Sequence, residues 1–256
     1  MRQLRAACYW AYFMLVLLVF GLAGVPVRMF ARKRALGLAK AWTGAALAGL
    51  QPICGITIEI TGLEHLPRSG AALLASQHQS EFDTLVWLRL LTLPSYVMKQ
   101  ELTRIPLFGP LLVPAGMIPV DRSGAAGALR RLVQECMAAR DAQRQIVIFP
   151  EGTRVPAGQR VELQPGIVAI AARLGLPVYP VATDSGRHWA HGRLAKYPGT
   201  IHIAIGPPIL PGAARKALLT GIEAHWRSCE INGFAAVDNS VGHVTALAAA
   251  DLPDAG

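Results

Sequence analysis

Residues 71–83 read AALLASQHQSEFD and residues 146–154 read IVIFPEGTR, and these two stretches decide the fold. Each begins as a short apolar run of the kind found in a strand covered on both faces, then breaks abruptly into polar residues. In the first, AALLAS gives way to His78, and a helix is expected to begin near Ser80. In the second, the run stops at Pro150 and releases Glu151, Gly152, Thr153 and Arg154 together. Working outward, five further runs have the same character: 56–60, 95–98, 117–120, 178–181 and 201–205. Longer helical patterns separate them, so an α/β fold is predicted, with a mixed, largely parallel sheet of about seven strands flanked by helices. Residues 124–142 place Leu129, Leu132, Val133, Cys136 and Met137 on one helical face, with Ser123 positioned as an N-cap. Residues 165–174 open with Pro165 and are followed by Gly175, the usual asymmetry of a helix start and stop. A last helix is expected over about 213–230.

Polar residues fall in an ordered way on this frame. His78 follows the second strand, Lys99 the third, Asp121 and Arg122 the fourth, and Glu151 and Arg154 the fifth. Ligands bind at the carboxyl ends of strands in open α/β sheets, so four loops are expected to converge on one site. An imidazole near its ordinary pKa removes a proton from an attacking alcohol, and a carboxylate on its other nitrogen orients it, which is the chemistry open to His78 and Asp83. Five residues span about 140° around a helix, so the pair meets only if His78 lies in the loop ahead of the helix. The Glu151–Arg154 turn joins a carboxylate and a guanidinium, suited to a hydroxyl and a phosphate on one ligand. Ser80 beside His78 leaves a covalent serine route open, although no G-x-S-x-G turn occurs in the chain. Its simpler role is that of a helix N-cap.

Ahead of the sheet the composition changes. No charged side chain occurs from Ala6 to Val27, and a second, weaker uncharged stretch runs from Ala41 to Ile58, broken by Gly44, Gly49 and Pro52. The first run is apolar on every face and long enough to enter a bilayer, and the second is expected to be its partner helix. Arg28, Arg32, Lys33, Arg34 and Lys40 lie between them, which by the positive-inside rule puts the following domain on the cytoplasmic face of the inner (plasma) membrane. The expected organisation is therefore a membrane-associating two-helix segment over 1–54, a domain over 55–231 and a flexible tail over 232–256.

The chain has 256 residues, 52% of them hydrophobic and 16% charged, with a net charge of +9. Those values exclude disorder, and the Gly, Pro and Arg scattered through the apolar sequence exclude a polytopic transporter. Residues 228–256 hold four acidic residues and no Lys or Arg, so the remainder carries +13 and should attract phosphates. No nucleic-acid motif accompanies that charge. Cys8, Cys54, Cys136 and Cys229 form no C-x-x-C pair, which argues against a zinc site or a disulfide framework.

Four ordered blocks within residues 55–210 resemble the 1-acyl-sn-glycerol-3-phosphate acyltransferase (lysophosphatidic acid acyltransferase) family of the glycerolipid acyltransferase superfamily. They are His78-Gln79-Ser80-Glu81-Phe82-Asp83, Gly116-Met117-Ile118-Pro119-Val120-Asp121-Arg122, Phe149-Pro150-Glu151-Gly152-Thr153-Arg154 and Leu176-Pro177-Val178-Tyr179-Pro180-Val181. The resemblance implies acyl transfer from acyl-CoA or acyl-carrier protein to the sn-2 hydroxyl of a lysophospholipid, lysophosphatidic acid, giving phosphatidic acid, without a cofactor or metal. It implies His78 as general base, Asp83 as its orienting partner, and Arg122, Arg154 and Lys99 on the acceptor phosphate. Glu151, Gly152 and Thr153 would shape the acceptor pocket. The chain departs from the family pattern at Gln77, where Asn commonly precedes the histidine, and at Leu163-Gln164-Pro165-Gly166, which lacks a frequent Lys. The latter leaves another acceptor, such as a lyso-ornithine lipid, open. A non-catalytic basic membrane-binding module is the alternative from a different class.

Overall fold

A computed structural model describes residues 2–121, 125–232, 234 and 245–247. Its centre is an eight-stranded sheet: β1 (Ile56–Thr61), β2 (Ala72–Ser76), β3 (Pro94–Lys99), β4 (Ile118–Val120), β5 (Gln145–Ile148), β6 (Val178–Thr183), β7 (Gly199–Ile205) and β8 (Thr245–Leu247). Their spatial order is β4-β3-β5-β2-β6-β7-β1-β8. The seven expected strands all form within two residues of their predicted limits. The eighth lies in the segment expected to be a tail, where Thr245–Leu247 pairs antiparallel with β1.

The inner strands β2, β5 and β6 are buried at every position, as their uninterrupted apolar runs require. Alternate side chains serve two cores. Leu74 and Val147 face one, with the helices α1 (Arg2–Phe30), α2 (Ala35–Ala48) and α3 (Phe82–Leu90). Leu73, Ala75, Ile146 and Ile148 face the other, with α5 (Ala125–Asp141), α6 (Gly166–Leu174) and α8 (Arg215–Asn232). Two short helices, α4 (Gly109–Leu112) and α7 (Ser185–His188), sit in the connections. Helix α6 starts after Pro165 and ends at a left-handed Gly175, as its sequence predicts. Ser123, the expected cap of α5, lies outside the described residues.

Two junctions give the sheet its mixed character: β8 pairs antiparallel with β1 at one edge, and the other junction lies between β6 and β7. β4, β3, β5, β2 and β6 are parallel neighbours, whereas β7 pairs antiparallel with β6 and parallel with β1. The amino ends of β7 and β1 therefore lie at the edge where the other strands have their carboxyl ends. The Gly199 amide donates to Gly55 O there (3.0 Å).

The N-terminal segment corrects the sequence reading in register. The partner helix is Ala35–Ala48, not 41–58; after it a π-helical turn, Leu50–Cys54, ends at a left-handed Gly55 and the chain enters β1. Lys40, used as the boundary of the uncharged stretch, is inside the helix, because one lysine on a partly exposed face does not interrupt a helix. Helix α1 packs against α2 through Tyr9 Oη, which donates to Ala46 O (3.0 Å), and Tyr12 Oη, which donates to Ala45 O (2.6 Å). Tyr12 lies so close to Gly49 that a Cβ there would strike its ring. Tyr9 and Phe13 meet Trp189 edge-on, tying α1 to the loop after β6 (5.5 and 6.3 Å). Leu15, Leu18, Val19, Leu22 and Val25 remain exposed, and Phe30 is 82% exposed. Residues 3–30 are long and apolar enough to cross a membrane, and an exposed apolar face of this extent marks a membrane or interaction surface.

Candidate active site

Chain geometry at the end of β2 brings His78 and Asp83 together. The strand stops at Ser76, α3 starts at Phe82, and the intervening loop folds so that His78 Nδ1 lies 3.2 Å from Asp83 Oδ2. A carboxylate only accepts, so Nδ1 carries a proton, and in the neutral imidazole Nε2 is then the nitrogen with the lone pair. Asp83 Oδ2 also accepts the amides of Gln79 (2.6 Å) and Ser80 (2.8 Å), and Oδ1 accepts the Ser185 hydroxyl (2.6 Å). Asp83 is 2% exposed, so all these bonds are made away from solvent.

The loop after β5 grips the histidine from the other side. The His78 amide donates to Glu151 Oε2 (2.6 Å), the Val155 amide donates to His78 O (2.7 Å), and Phe149 stacks on the imidazole at 4.2 Å. Both main-chain groups and one ring face of His78 are thus set by the FPEGTRV segment. Burial pushes the Glu151 carboxyl up to about 8 against the lowering effect of the His78 N–H, and the charges of Asp83 and Glu230 push the same way as burial. Gly152 takes a left-handed conformation, φ +71°, with the Gln164 side chain against it; a Cβ there would be strained.

The structure brings Asp83 and Glu151 each into direct contact with His78, with Gly152, Thr153 and Arg154 on the same turn as Glu151. Thr153 is exposed and Arg154 half-buried; the Arg154 Nε is shielded from solvent and has no hydrogen-bond partner among the described residues. Lys99 ends β3, two strands from β2, with its side chain exposed. Strand spacing places its backbone roughly 10 Å from the end of β2, at the same sheet edge. Arg122 lies outside the described residues. Ser80 is neither cap nor exposed nucleophile: α3 begins two residues later, and the fully buried Ser80 hydroxyl donates to Ser185 Oγ (3.0 Å). The Asp83 carboxylate, not a Ser80 side chain, satisfies the amides at this helix start.

Several participants escaped the sequence reading. Ser185, Thr183 and Gly186 follow the fourth block, and Gln77, noted in the sequence only as a departure from the family pattern, precedes His78. Gln77 accepts the Thr183 amide (3.0 Å) and donates to Glu230 (3.2 Å), and Gln79 Oε1 accepts the Gly186 amide (3.1 Å). Only Pro180 and its neighbours, already in the fourth block, hinted that β6 borders the site.

A histidine oriented by a buried carboxylate thus stands at the carboxyl edge of a mixed α/β sheet, beside a turn bearing a guanidinium, an arrangement able to deprotonate a hydroxyl held next to an anion. Comparison with known proteins agrees, and the chain belongs to the Acyltransferase family, whose model matches residues 57–184. The 1-acyl-sn-glycerol-3-phosphate acyltransferase of Pseudomonas aeruginosa is 37% identical over 166 residues, covering 65% of this chain and 64% of that protein. The enzyme of the same name from Borreliella burgdorferi is 30% identical over 130 residues, covering 50% and 52%. This chain thus spans between half and two thirds of these relatives' lengths. The crystal structure of the 1-acyl-sn-glycerophosphate (LPA) acyltransferase, PlsC, from Thermotoga maritima shares the fold, with a TM-score of 0.71, 22% identity and coverage of 89% of this chain and 96% of that one.

Proposed function

We propose that this protein transfers a fatty acyl group from acyl-CoA or acyl-carrier protein to the sn-2 hydroxyl of lysophosphatidic acid, giving phosphatidic acid for phospholipid synthesis. The observation that carries this reading is the His78–Asp83 pair, held by the same loop that presents Arg154, whose Nε has no hydrogen-bond partner among the described residues. His78 Nε2 takes the proton of the acceptor hydroxyl as its oxygen attacks the thioester carbonyl. The new C–O bond forms, the tetrahedral adduct collapses, the C–S bond breaks, and the departing thiolate receives the proton from the imidazolium. Asp83 stabilises that imidazolium, and general-base help of this kind contributes about 10²–10⁴-fold. Arg154, Lys99 and Arg122 would hold the acceptor phosphate through charge-assisted hydrogen bonds, with Glu151, Gly152 and Thr153 forming the wall of its pocket. Positioning supplies much of the remaining acceleration.

The membrane part of the proposal rests on the exposed apolar face of α1 and on Arg28, Arg32, Lys33 and Arg34 at its carboxyl end, which also favour the cytoplasmic face. The acceptor is then met at the headgroup plane.

The test incubates the full chain in vesicles with radiolabelled acyl-CoA, or with acyl-carrier protein charged with the same chain, and a panel of lysolipids. Phosphatidic acid from lysophosphatidic acid, abolished in His78→Ala while vesicle binding persists, is the expected result. Preference for an acceptor without phosphate, such as a lyso-ornithine lipid, would overturn the assigned headgroup. Normal turnover in His78→Ala would overturn the mechanism.

A further inference from the structure

The network behind Asp83 includes a residue that no motif block contains. Ser185 opens α7, 102 residues from Asp83, and is completely buried. Its hydroxyl lies 2.6 Å from Asp83 Oδ1 and 3.0 Å from Ser80 Oγ. The carboxylate only accepts, so the Ser185 proton must point at Oδ1, and Ser185 Oγ must accept the proton of Ser80. The direction of this short chain is therefore determined: Ser80 to Ser185 to Asp83.

We propose that Ser185 is a positioning residue for the His78–Asp83 pair: by holding Oδ1, its hydroxyl sets the rotation of the carboxylate so that Oδ2 meets His78 Nδ1. The inference rests on the acyl-transfer reading for its catalytic consequence, though not for its geometry. Three donors share Oδ2, and the His78 contact, at 3.2 Å, is longer than those to the amides of Gln79 and Ser80. The two amides are part of the loop and keep Oδ2 in place near its start. They do not fix the plane of the group, because the terminal torsion of an aspartate is broad and soft. A second anchor on the other oxygen removes that freedom, and Ser185 is the group hydrogen-bonded there. At 2% exposure the carboxylate has almost no contact with bulk solvent.

Ser185 is itself well held. Its amide donates to Thr183 Oγ1 (3.2 Å), while the neighbouring Gly186 amide donates to Gln79 Oε1 and the Thr183 amide to Gln77 Oε1. The end of β6 is stitched to the histidine loop on both sides of Ser185. An anchor on so rigid a seam transmits the position of β6 to the imidazole, through a hydrogen bond and not through contact with substrate.

The test compares wild type, Ser185→Ala and Ser185→Thr, each as the full chain in detergent micelles, by two measurements. The first is steady-state transfer between acyl-CoA and lysophosphatidic acid. The second is the downfield proton resonance of the His78 Nδ1–H, assigned by its loss in His78→Asn, which needs no turnover. In Ser185→Ala, kcat should fall about tenfold to a hundredfold, the range for one hydrogen bond to a charged group. Both KM values should stay within about twofold, because the lost bond serves the transition state. The resonance should move upfield or broaden away, and Ser185→Thr, which keeps the hydroxyl, should restore signal and kcat together. An unchanged resonance in folded Ser185→Ala overturns the proposal, as does a loss of turnover explained by the unfolded fraction alone. If Ser185→Ala fails to fold, Ser185→Cys carries the same measurement, with displacement of the resonance supporting the proposal and constancy overturning it. Should the wild type transfer no acyl group, the acyl-transfer reading falls, while the resonance still decides the role of Ser185.

Discussion

Replacing Asp83 with Asn removes one charge and almost no volume. The amides of Gln79 and Ser80 demand an acceptor at Oδ2, so the Asn carboxamide must keep its oxygen there and turn its NH2 toward Ser185. The imidazole can still donate from Nδ1, and what disappears, on the mechanism proposed above, is the negative charge beside the imidazolium that forms during transfer. With opposite charges about 4 Å apart and an effective dielectric near 20, the lost attraction is about 4 kcal/mol. At about 1.4 kcal/mol per decade, complete imidazolium formation in the transition state corresponds to a loss of about 10³ in kcat. Partial proton transfer reduces this to about 10². The variant should be assayed with saturating acyl-CoA across a range of lysophosphatidic acid concentrations, with a thermal melt in parallel. We expect kcat to fall by two to three decades, with acceptor KM unchanged and a cooperative melt retained. A loss smaller than about tenfold, or one appearing mainly in KM, would refute the assignment of Asp83 as the electrostatic partner of a general base.

Other expectations concern separate parts of the molecule. Arg154→Ala should raise the acceptor KM about 10- to 100-fold, the equivalent of one charge-assisted hydrogen bond, and leave the donor KM nearly unchanged; equal effects on both would take Arg154 off the phosphate. Glu151 holds its proton up to about pH 8 when folded, against 4.5 ordinarily, so between those values the folded state binds the extra proton and stability falls as pH rises. Glu151→Gln lacks this titration, and its Tm should gain on wild type from pH 5 to pH 8.5; parallel curves would show that burial does not perturb Glu151. The double substitution Leu18→Glu and Leu22→Glu, on the exposed face of α1, removes two side chains worth roughly 1.5–3 kcal/mol each on burial. Flotation with anionic vesicles should therefore drop by more than about a hundredfold at unchanged Tm, and undiminished flotation would exclude that face from lipid.

The parts of this architecture that were legible in sequence are those where one local cause dominates. The run AALLAS is apolar throughout because β2 is covered on both faces, and its break at Gln77-His78 marks both strand end and site. Glu151 to Arg154 were readable because Pro150 and Gly152 announce a turn. Absence of charge does not mark the limits of α2, because Lys40 fits on the helix without breaking it. β8 has only three residues, and its pairing comes from the edge of β1, which a local pattern in an Ala-rich segment does not reveal. Ser185 was invisible for a related reason: a serine acquires its role here from a carboxylate 102 residues away.

The antiparallel step between β6 and β7 has a consequence for how lipid would reach the dyad. Because β1 runs with β7, the chain leaving the N-terminal helices enters the sheet at the same edge as His78. Had β1 run with β2, its entry would lie at the opposite edge, roughly 17–20 Å away for a strand of five or six residues. A lysolipid would then have to be raised most of that distance out of the headgroup layer to react. With the reversal, the end of the N-terminal segment and the imidazole lie at one sheet edge, and on the function proposed above the search for acceptor is reduced to lateral diffusion within a leaflet. On the same proposed function the product would disperse by that two-dimensional route, its acyl chains never leaving the hydrocarbon.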